Sequence, residues 1–446
     1  MKKERIVILG AGESGVGAAL LAKAKGLDVF VSDHGEIAGK YRWELIENDI
    51  PFEEKQHSEA LITKASTVVK SPGIPDHVPI IQKLKKKQIE IISEIEFAGR
   101  YTNAKMLCIT GTNGKTTTST WAHHILKKGG LKVGLAGNIG QSLARQVIED
   151  KYEVYVLELS SFQLEGMYQF KADISVLLNI TPDHLNRYDN EMQKYVDAKM
   201  RIVQNQTKDD YTIYCADDKR LVEEIKKIKP ASKVLAYSYN PSSESIAAVY
   251  HDLMKIELPD KEALSINVRD IAIKGKHNIY NSMAAGISAF AMNIKKDIIA
   301  EALKDFTGVE HRLENAGQVG GVKFINDSKA TNVNAVWYAL DSMVSPVIWI
   351  AGGIDKGNDY SELYDVIGQV KALICLGDGS EKLQEAFGGK INIIRKAANM
   401  SEAIKLSMQV AECDDTVLLS PACASFDLYN SYEERGRDFK LEVSKL

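Results

Sequence analysis

Gly111-Thr112-Asn113-Gly114-Lys115-Thr116-Thr117 is the stretch that decides the fold. It follows a short apolar run that ends at Ile109 and precedes a segment, 118–128, that favours a helix. A glycine-rich turn between a strand and a helix surrounds phosphate oxygens with backbone N–H groups, and the helix N-terminus adds partial positive charge. The pattern predicts a phosphate-binding loop, in which Lys115 contacts the terminal phosphates and the Thr116 hydroxyl holds Mg²⁺.

The spacing of this loop departs from the usual G-x-x-x-x-G-K-[ST] pattern, because Ile109 stands where its first glycine would fall. The alternative interpretation is an ordinary glycine turn followed by a surface lysine. The flanking strand and helix are the context that a phosphate-binding loop needs, so they favour the functional interpretation.

The composition is that of a globular protein with several domains. At 446 residues the chain is too long for one core, and its hydrophobic (45%) and charged (26%) contents are ordinary. The net charge of −4 comes without a basic block, which argues against nucleic acid as a partner. The five cysteines are scattered, so neither a disulfide framework nor a zinc site is predicted. Without a signal-peptide pattern or a membrane-spanning apolar run, we expect a cytoplasmic monomer with no membrane partner.

A second glycine turn lies near the start of the chain. The strand 5–9 leads into Gly10-Ala11-Gly12-Glu13-Ser14-Gly15, and Asp33 ends the next strand. This is the Rossmann fingerprint, for which NAD is the default ligand. A further strand, 67–70, ends in a turn containing Gly73, at the edge where open α/β sheets bind ligands. A turn that serves only close helix–sheet packing is the alternative.

Two strand ends after the phosphate loop carry candidate metal ligands. Glu158 lies near the end of the apolar strand 152–159, where a charge is costly unless it is paired or metal-bound. We therefore predict that Glu158 and Thr116 hold Mg²⁺, with a structural ion pair as the alternative. His184 follows the strand 174–179, and its position is equally consistent with metal contact and with a structural role.

Periodicity does not decide the roles of several polar residues in the central region. Lys199 lies in the predicted helix 191–204 and, by its pattern alone, is a solvated lysine. For Asn278, capping of an alanine-rich helix, 279–292, is the alternative to a functional role, whereas Asn281 lies inside that helix and is harder to explain as a cap. Alternating segments predict strands at the edge of this domain: 233–239, 247–258 and 264–271.

The last part of the chain predicts another α/β unit, without a second phosphate loop. A strand, 322–325, leads through Asn326-Asp327-Ser328-Lys329-Ala330-Thr331-Asn332 into a helix. A later strand, 416–419, ends in Ser420-Pro421-Ala422-Cys423-Ala424-Ser425-Phe426-Asp427. Polar and small residues at strand ends are typical of ligand sites in open α/β sheets. Charges such as Asp327 and Lys329 are also ordinary at the start of a helix.

We therefore predict an α/β fold with three domains in series. They are an N-terminal Rossmann-like domain (1–95), a central P-loop ATPase-type domain with a parallel sheet (96–308), and a C-terminal Rossmann-like domain (309–446). This arrangement resembles the Mur ligases of peptidoglycan synthesis over nearly the whole chain. The motifs that carry the resemblance are Gly111–Thr117, Glu158–Gln163, Asp183–Leu185, His277–Asn278 with Asn281, and His311–Arg312.

Within that family, the segments 327–332 and 420–427 are similar to those of the member that adds D-glutamate. Asn186 and Tyr188 depart from the pattern, since many relatives have Asp and His there. The resemblance implies that ATP converts the L-alanyl carboxylate of UDP-N-acetylmuramoyl-L-alanine to an acyl phosphate, which the D-glutamate amine attacks. On this interpretation the first glycine turn binds uridine diphosphate rather than NAD.

The resemblance also implies a role for each group of residues. ATP would contact Gly111, Thr112, Asn113, Gly114, Lys115, Thr116, Thr117, Asn278, Arg312 and Asp327. The UDP substrate would contact Ser14, Asp33, Gly73, Asn138 and Gln163. The catalytic residues would be Lys115, His184 and Lys199. Two Mg²⁺ ions would be held, one by Thr116 with Glu158 and the other by His184 with Lys199 as N-carboxylysine. The D-glutamate carboxylates would meet Lys329, Thr331, Ser420 and the backbone at Phe426.

Three alternatives remain at this level. The nearest is another Mur-type or folylpolyglutamate-type amino-acid ligase. An NAD-dependent oxidoreductase would use the first glycine turn, but it leaves the phosphate loop and Glu158 unexplained. A nucleotide-gated regulator would bind the same ligands without turnover.

Overall fold

The computed structural model describes residues 4–259, 261–355 and 357–446. The chain separates into two compact units, 1–272 with 278–306 and 273–277 with 307–446. The first unit contains the predicted first domain and all of the predicted central domain except residues 273–277 and 307–308. The boundary between these two domains therefore stays a prediction. Among the described residues, no helix combines the length and apolar character needed to span a membrane.

The first sheet is parallel, with strand order β3-β2-β1-β4-β5. Its strands are β1 (Arg5–Leu9), β2 (Asp28–Ser32), β3 (Phe52–Glu53), β4 (Thr67–Lys70) and β5 (Glu90–Ile92). Its helices are α1 (Glu13–Ala24), α2 (Gly39–Glu47), α3 (Glu59–Ile62), α4 (Pro79–Lys86) and α5 (Glu94–Gly99). The turn after β1 requires glycine, because Gly10 has φ +90° and a Cβ there would lie 2.6 Å from Ser71 Oγ. The predicted Rossmann-like arrangement is confirmed.

The second sheet carries the phosphate loop at the end of a central strand. Its strands are β6 (Lys105–Thr110), β7 (Val133–Gly137), β8 (Val154–Glu158), β9 (Ile174–Leu177), β10 (Tyr211–Cys215), β11 (Lys233–Tyr237), β12 (Ser245–Tyr250), β13 (Leu253–Ile256) and β14 (Leu264–Asn267). Its order is β14-β13-β12-β11-β10-β9-β6-β8-β7. The predicted parallel sheet is therefore wrong at one edge, because β13 pairs antiparallel with both β12 and β14. The single predicted segment 247–258 is in fact the hairpin β12–β13.

The helices around this sheet differ from the predicted ones at their ends. They are α6 (Lys115–Lys128), α7 (Leu143–Val147), α8 (Ser161–Glu165), α9 (Met192–Met200), α10 (Lys219–Ile228), α11 (Lys276–Ala291) and α12 (Lys296–Lys304). The phosphate-loop helix begins at Lys115 rather than at 118, so Lys115 and Thr116 lie in its first turn. Asn278 is not a cap, since α11 begins two residues earlier, at Lys276.

The second unit has a mixed sheet of order β15-β16-β20-β17-β18-β19. Its strands are β15 (Glu314–Val319), β16 (Val322–Asn326), β17 (Val347–Ala351), β18 (Val370–Leu376), β19 (Ile393–Ala397) and β20 (Thr416–Leu419). Its helices are α13 (Val333–Asp341), α14 (Ser380–Phe387), α15 (Met400–Met408) and α16 (Tyr432–Val443). The edge strand β15, which sequence reasoning missed, is antiparallel to β16, and the others are parallel. Apolar clusters cover both faces, one around Trp349 and the other around Phe439.

One close approach in the first unit gives a test of the packing of α1 on α7. A Cβ at Gly17 would lie 1.9 Å from Ser142 Oγ and 3.4 Å from the Arg145 backbone nitrogen. Gly17→Ala should therefore lower the free energy of unfolding by about 1–3 kcal/mol, as overpacking does. Gly39→Ala is the control, because nothing lies within 4 Å of a Cβ there. Urea titration of both variants measures the effect, and equal stability of the two would contradict the packing.

Candidate active site

The phosphate loop has the backbone geometry that its glycines predict. Gly114 has φ +83° and caps α6 in the left-handed region, which favours glycine. A Cβ on Gly114 would lie 2.5 Å from Asn281 Oδ1, so Asn281 packs directly on the loop. Asn281 also donates to Asn278 Oδ1 (3.1 Å) and accepts from Thr118 Oγ1 (3.2 Å). Asn278 and Asn281 thus lie beside the start of α6.

The segment after β9 holds the loop from the other side. The Thr112 backbone N–H donates to the Asn179 carbonyl (2.9 Å), and the Asn113 N–H donates to Asn179 Oδ1 (2.8 Å). The Asn179 side-chain nitrogen in turn donates to the Asn113 carbonyl (3.1 Å). Thr112 Oγ1 donates to the Thr181 carbonyl (3.0 Å). Sequence reasoning missed Asn179, because nothing in its own segment indicates which loop it meets.

Two lysines converge on one carbonyl of the loop. Lys115 Nζ donates to the Gly111 and Thr112 carbonyls (both 2.8 Å), and Lys199 Nζ donates to the Gly111 carbonyl (2.8 Å). Lys199 is only 2% exposed, so it is not the solvated lysine that its sequence pattern alone indicates. Burial, and then the charge of Lys115, hold the pKa of Lys199 well below its usual value. Its amine is therefore predisposed to be neutral.

Glu158 ends β8 next to the phosphate-loop strand and is 1% exposed. Its Oε1 accepts from the Asn138 side-chain amide (2.9 Å). Its Oε2 is buried without a hydrogen-bond partner among the residues that the structure describes. A buried carboxylate oxygen in this state needs a proton or a cation, and a carboxylate with a hydroxyl is a suitable donor set for Mg²⁺. Glu158 together with the buried Thr116 therefore fits a Mg²⁺ ion.

The remaining predicted residues of this sheet, Gln163 and His184, lie in the segments that follow β8 and β9. Gln163 is buried at the start of α8, where its Oε1 accepts from the Ser160 backbone N–H (2.9 Å) and closes a capping box. His184 has φ +53° and lies on the loop after β9 with its side chain 42% exposed. Its Nε2 is 3.6 Å from Asp183 Oδ2. These contacts leave the metal role of His184 a prediction.

In the first sheet, Asp33 and Gly73 line one cavity of about 610 Å³ at the carboxyl ends of the strands. Asp33 organises the glycine turn, because its Oδ2 accepts from the Ala11 N–H (2.6 Å). His34 and His57 also line this cavity and were missed. Ser14 lies in the first turn of α1.

In the second unit, Asp327 and Ser420 meet at the ends of β16 and β20. Asp327 is buried, and its carboxylate accepts from Ser420 Oγ (2.9 Å) and from the Leu313 N–H (3.2 Å). Burial raises the pKa of Asp327 to about 6, and the charge of Arg312 opposes that rise. The predicted residues Arg312, Asp327 and Ser420 therefore form one cluster.

The other residues predicted to contact D-glutamate, Lys329, Thr331 and Phe426, differ in their surroundings. Lys329 Nζ donates to the Tyr432 hydroxyl (3.1 Å), and the Thr331 N–H donates to the Lys329 carbonyl (3.0 Å). The Phe426 side chain is 69% exposed, so a role for this residue would rest on its backbone, as predicted.

Arg435 connects the strand-end loops of the second unit and was missed. Its guanidinium is 1% exposed and donates to the carbonyls of Ser328 (3.0 Å), Cys423 (3.2 Å) and Gly352 (3.3 Å). Burial lowers its pKa to about 10. The buried charge is thus stabilised by carbonyl dipoles. The sequence pattern of the helix that carries Arg435 does not reveal these contacts.

Comparison with known proteins identifies the class to which this site belongs. Three family models match in series: "Mur ligase MurD-like, N-terminal domain" over residues 4–93, "Mur ligase middle domain" over 109–289, and "Mur ligase, glutamate ligase domain" over 311–423. The chain belongs to the Mur ligase family.

Two relatives show how close the similarity is. A protein from Porphyromonas gingivalis strain W83 is 54% identical over 448 residues, covering 100% of this chain and 99% of its own. One from Bacteroides fragilis is 51% identical over 445 residues, covering 99% of this chain and 100% of its own. Both carry the name UDP-N-acetylmuramoylalanine–D-glutamate ligase.

Solved structures agree on the fold. UDP-N-acetylmuramate-alanine ligase from Thermotoga maritima matches with a TM-score of 0.64 at 17% identity, over 99% of both chains. MurF ligase from the same organism, in complex with ADP, matches with a TM-score of 0.62 at 16% identity, over 94% of this chain and 95% of its own.

The buried carboxyl of Asp327 predicts a pH-dependent stability. Its pKa is raised from 3.8 to about 6, so the folded state binds a proton more tightly than the unfolded state. The resulting stabilisation is complete below the unfolded pKa and is lost as the pH rises through the folded pKa. Between pH 4 and 6, wild type should lose roughly 2 kcal/mol of stability relative to Asp327→Asn. Urea unfolding at several pH values measures this difference, and parallel curves for the two proteins would refute the raised pKa.

Proposed function

We propose that the protein is an ATP-dependent ligase that joins D-glutamate to UDP-N-acetylmuramoyl-L-alanine in peptidoglycan synthesis. The observation that carries the reaction type is the phosphate loop beside Glu158, whose buried Oε2 has no hydrogen-bond partner within the described part of the chain. The name shared by relatives that match over their full length supports the choice of substrates. The reaction consumes ATP, which suits the expected cytoplasmic location, and its product serves cell-wall growth.

The chemistry requires that a carboxylate be activated before an amine can attack it. Transfer of the γ-phosphoryl group of ATP to the L-alanyl carboxylate gives an acyl phosphate and ADP. The D-glutamate amine adds to the acyl carbon, and the tetrahedral intermediate loses phosphate and a proton to give the amide. Positioning and charge neutralisation are what the protein supplies to such a reaction.

The chain provides these functions mainly around the phosphate loop. The amides of 111–117 would surround the ATP phosphates, and Lys115 would leave the loop carbonyls to contact the transferring group. Thr116 and Glu158 would hold one Mg²⁺, and His184 and Lys199 a second. When bound, Mg²⁺ neutralises phosphate charge. Asn138 and Gln163 would contact the acceptor arm.

The other substrate contacts would come from the first sheet, from α11 and from the second unit. Ser14, Asp33 and Gly73 would bind the uridine diphosphate. Asn278, Arg312 and Asp327 would contact ATP. Lys329, Thr331, Ser420 and the Phe426 backbone would bind the two carboxylates of D-glutamate, for which a cation and hydroxyl donors are the expected complement.

Measuring phosphate release from ATP tests the function directly. With UDP-N-acetylmuramoyl-L-alanine present, D-glutamate should stimulate release, and mass spectrometry should find the acceptor extended by one glutamate. Stimulation by L-alanine or a diamino acid in its place would assign the chain a different member's reaction. Release that needs no acceptor would contradict the ligase proposal.

Lys199 would act as N-carboxylysine. A protonated lysine has no acceptor and so does not ligate a cation, whereas a carbamate offers two oxygens. Only a neutral amine reacts with CO₂, and burial of Lys199 favours that form.

The carbamate predicts a signal that is independent of turnover. Protein equilibrated with ¹³C-labelled bicarbonate should show a protected carbamate resonance, and Lys199→Arg should lack it. Lys127→Arg, at the exposed end of α6, is the control and should keep it. A wild-type spectrum without the resonance, or an active Lys199→Arg enzyme, would overturn this role.

A further inference from the structure

Arg187 lies where three loops of the first unit meet. Its guanidinium donates to two consecutive carbonyls of the turn after β4. Nη1 donates to the Gly73 carbonyl (3.2 Å), and Nη2 donates to the Pro72 carbonyl (3.3 Å). The neighbouring carbonyl, of Ile74, accepts from Lys70 Nζ (2.8 Å). The cationic side chains of Arg187 and Lys70 therefore donate to three successive carbonyls of this turn. Because carbonyl oxygens repel an anion, compensating them in this way suits the turn to an anionic ligand.

The same guanidinium stacks on a ring that touches the loop carrying His184. Arg187 Cζ is 4.3 Å from the centre of the Phe162 ring. Phe162 lies in α8, just after the strand that ends at Glu158, and its ring centre is 5.4 Å from that of His184. Its ring also stacks on Tyr188 at 6.0 Å. One side chain thus connects the 71–75 turn, the start of α8 and the 183–190 loop.

Arginine is suited to this arrangement for two reasons. Its planar fork donates to two carbonyls at once, and its face stacks on an aromatic ring. Lysine keeps the charge but has neither the fork nor the plane. Arginine at position 187 therefore contacts the 71–75 turn and the Phe162 ring at the same time, which lysine is not suited to do.

We propose that Arg187 is a positioning residue that couples ligand binding at the 71–75 turn to the placement of the 183–190 loop. This rests on the proposed function, in which Gly73 contacts the diphosphate and His184 a metal. Binding of the nucleotide end of the acceptor would then order the loop at the reacting end. Arg187 itself need not touch either reacting group.

Arg201 offers a closely matched control. It also donates to two carbonyls, those of Leu164 (Nε, 2.9 Å) and Met167, and its guanidinium lies 5.2 Å from the centre of the Tyr168 ring. These partners belong to α8 and the segment after it, and none belongs to the 71–75 turn. Arg201→Lys therefore removes the same kinds of contact without breaking the proposed connection.

Hydrogen exchange with UDP as the only added ligand tests the coupling without turnover. In wild type, UDP should slow exchange in residues 10–16 and 67–78, and also in 183–190. In Arg187→Lys, UDP should still slow exchange in the first two segments, but protection of 183–190 should fall about tenfold, the effect of losing one charged hydrogen bond. Arg201→Lys should retain the wild-type pattern.

The outcomes separate this proposal from the function on which it rests. Full UDP protection of 183–190 in Arg187→Lys, or equal loss in Arg201→Lys, would overturn the coupling and leave the nucleotide site intact. Absence of UDP protection in 10–16 and 67–78 of wild type would overturn the nucleotide site and the coupling with it. A purely structural Arg187 would lower stability without changing the response to UDP.

Discussion

The hydrogen bonds between Asn179 and the phosphate loop are the constraint on which the rest of the site depends. β6 lies between β8 and β9, and Ile109 is paired with Glu158. Glu158 therefore reaches the loop from one neighbouring strand, and Asn179 reaches it from the other. With Thr112 and Asn113 fixed by Asn179, the Gly111 carbonyl becomes the point at which Lys115 and Lys199 converge.

This arrangement explains which parts of the site were predictable from sequence. The loop 111–117 is a local pattern, in which turn, lysine and helix start are consecutive, so its position and geometry follow from the sequence. Glu158 could be selected as a candidate site residue because a charged side chain at the end of an apolar strand needs a partner. The fold class also followed, because strands buried on both faces have continuous apolar runs.

Other features depend on contacts between segments that are distant in sequence. Lys199 has the pattern of a solvated helix residue, and only the approach of the Gly111 loop buries it. Asn179, Arg187 and Arg435 each donate to backbone groups of another segment, and backbone acceptors leave no mark on the sequence. The hairpin β12–β13 was misread as one strand and β15 was missed, because short, partly exposed strands lack a strong apolar run.

In the second unit too, some features were predictable from local sequence and others depend on contacts between distant segments. The predicted strands 322–325 and 416–419 correspond to β16 and β20. The cluster of Asp327 with Ser420 lies at the ends of these strands, where the fold class places ligand sites. The buried charge of Arg435 was not foreseen, although it holds three strand-end loops together. The substrate-binding roles of these residues are proposals that rest on their positions.

A crystal structure with Mg²⁺ and a non-hydrolysable ATP analogue would show whether the phosphate loop and Glu158 form one nucleotide–metal site. We expect phosphate oxygens within hydrogen-bond distance of the 111–117 amides and a metal ion bound by Thr116 Oγ1 and Glu158 Oε2. We also expect Lys115 Nζ to have exchanged the Gly111 and Thr112 carbonyls for the phosphate. An analogue bound elsewhere, or one bound at the loop with Glu158 Oε2 still unliganded, would contradict this site.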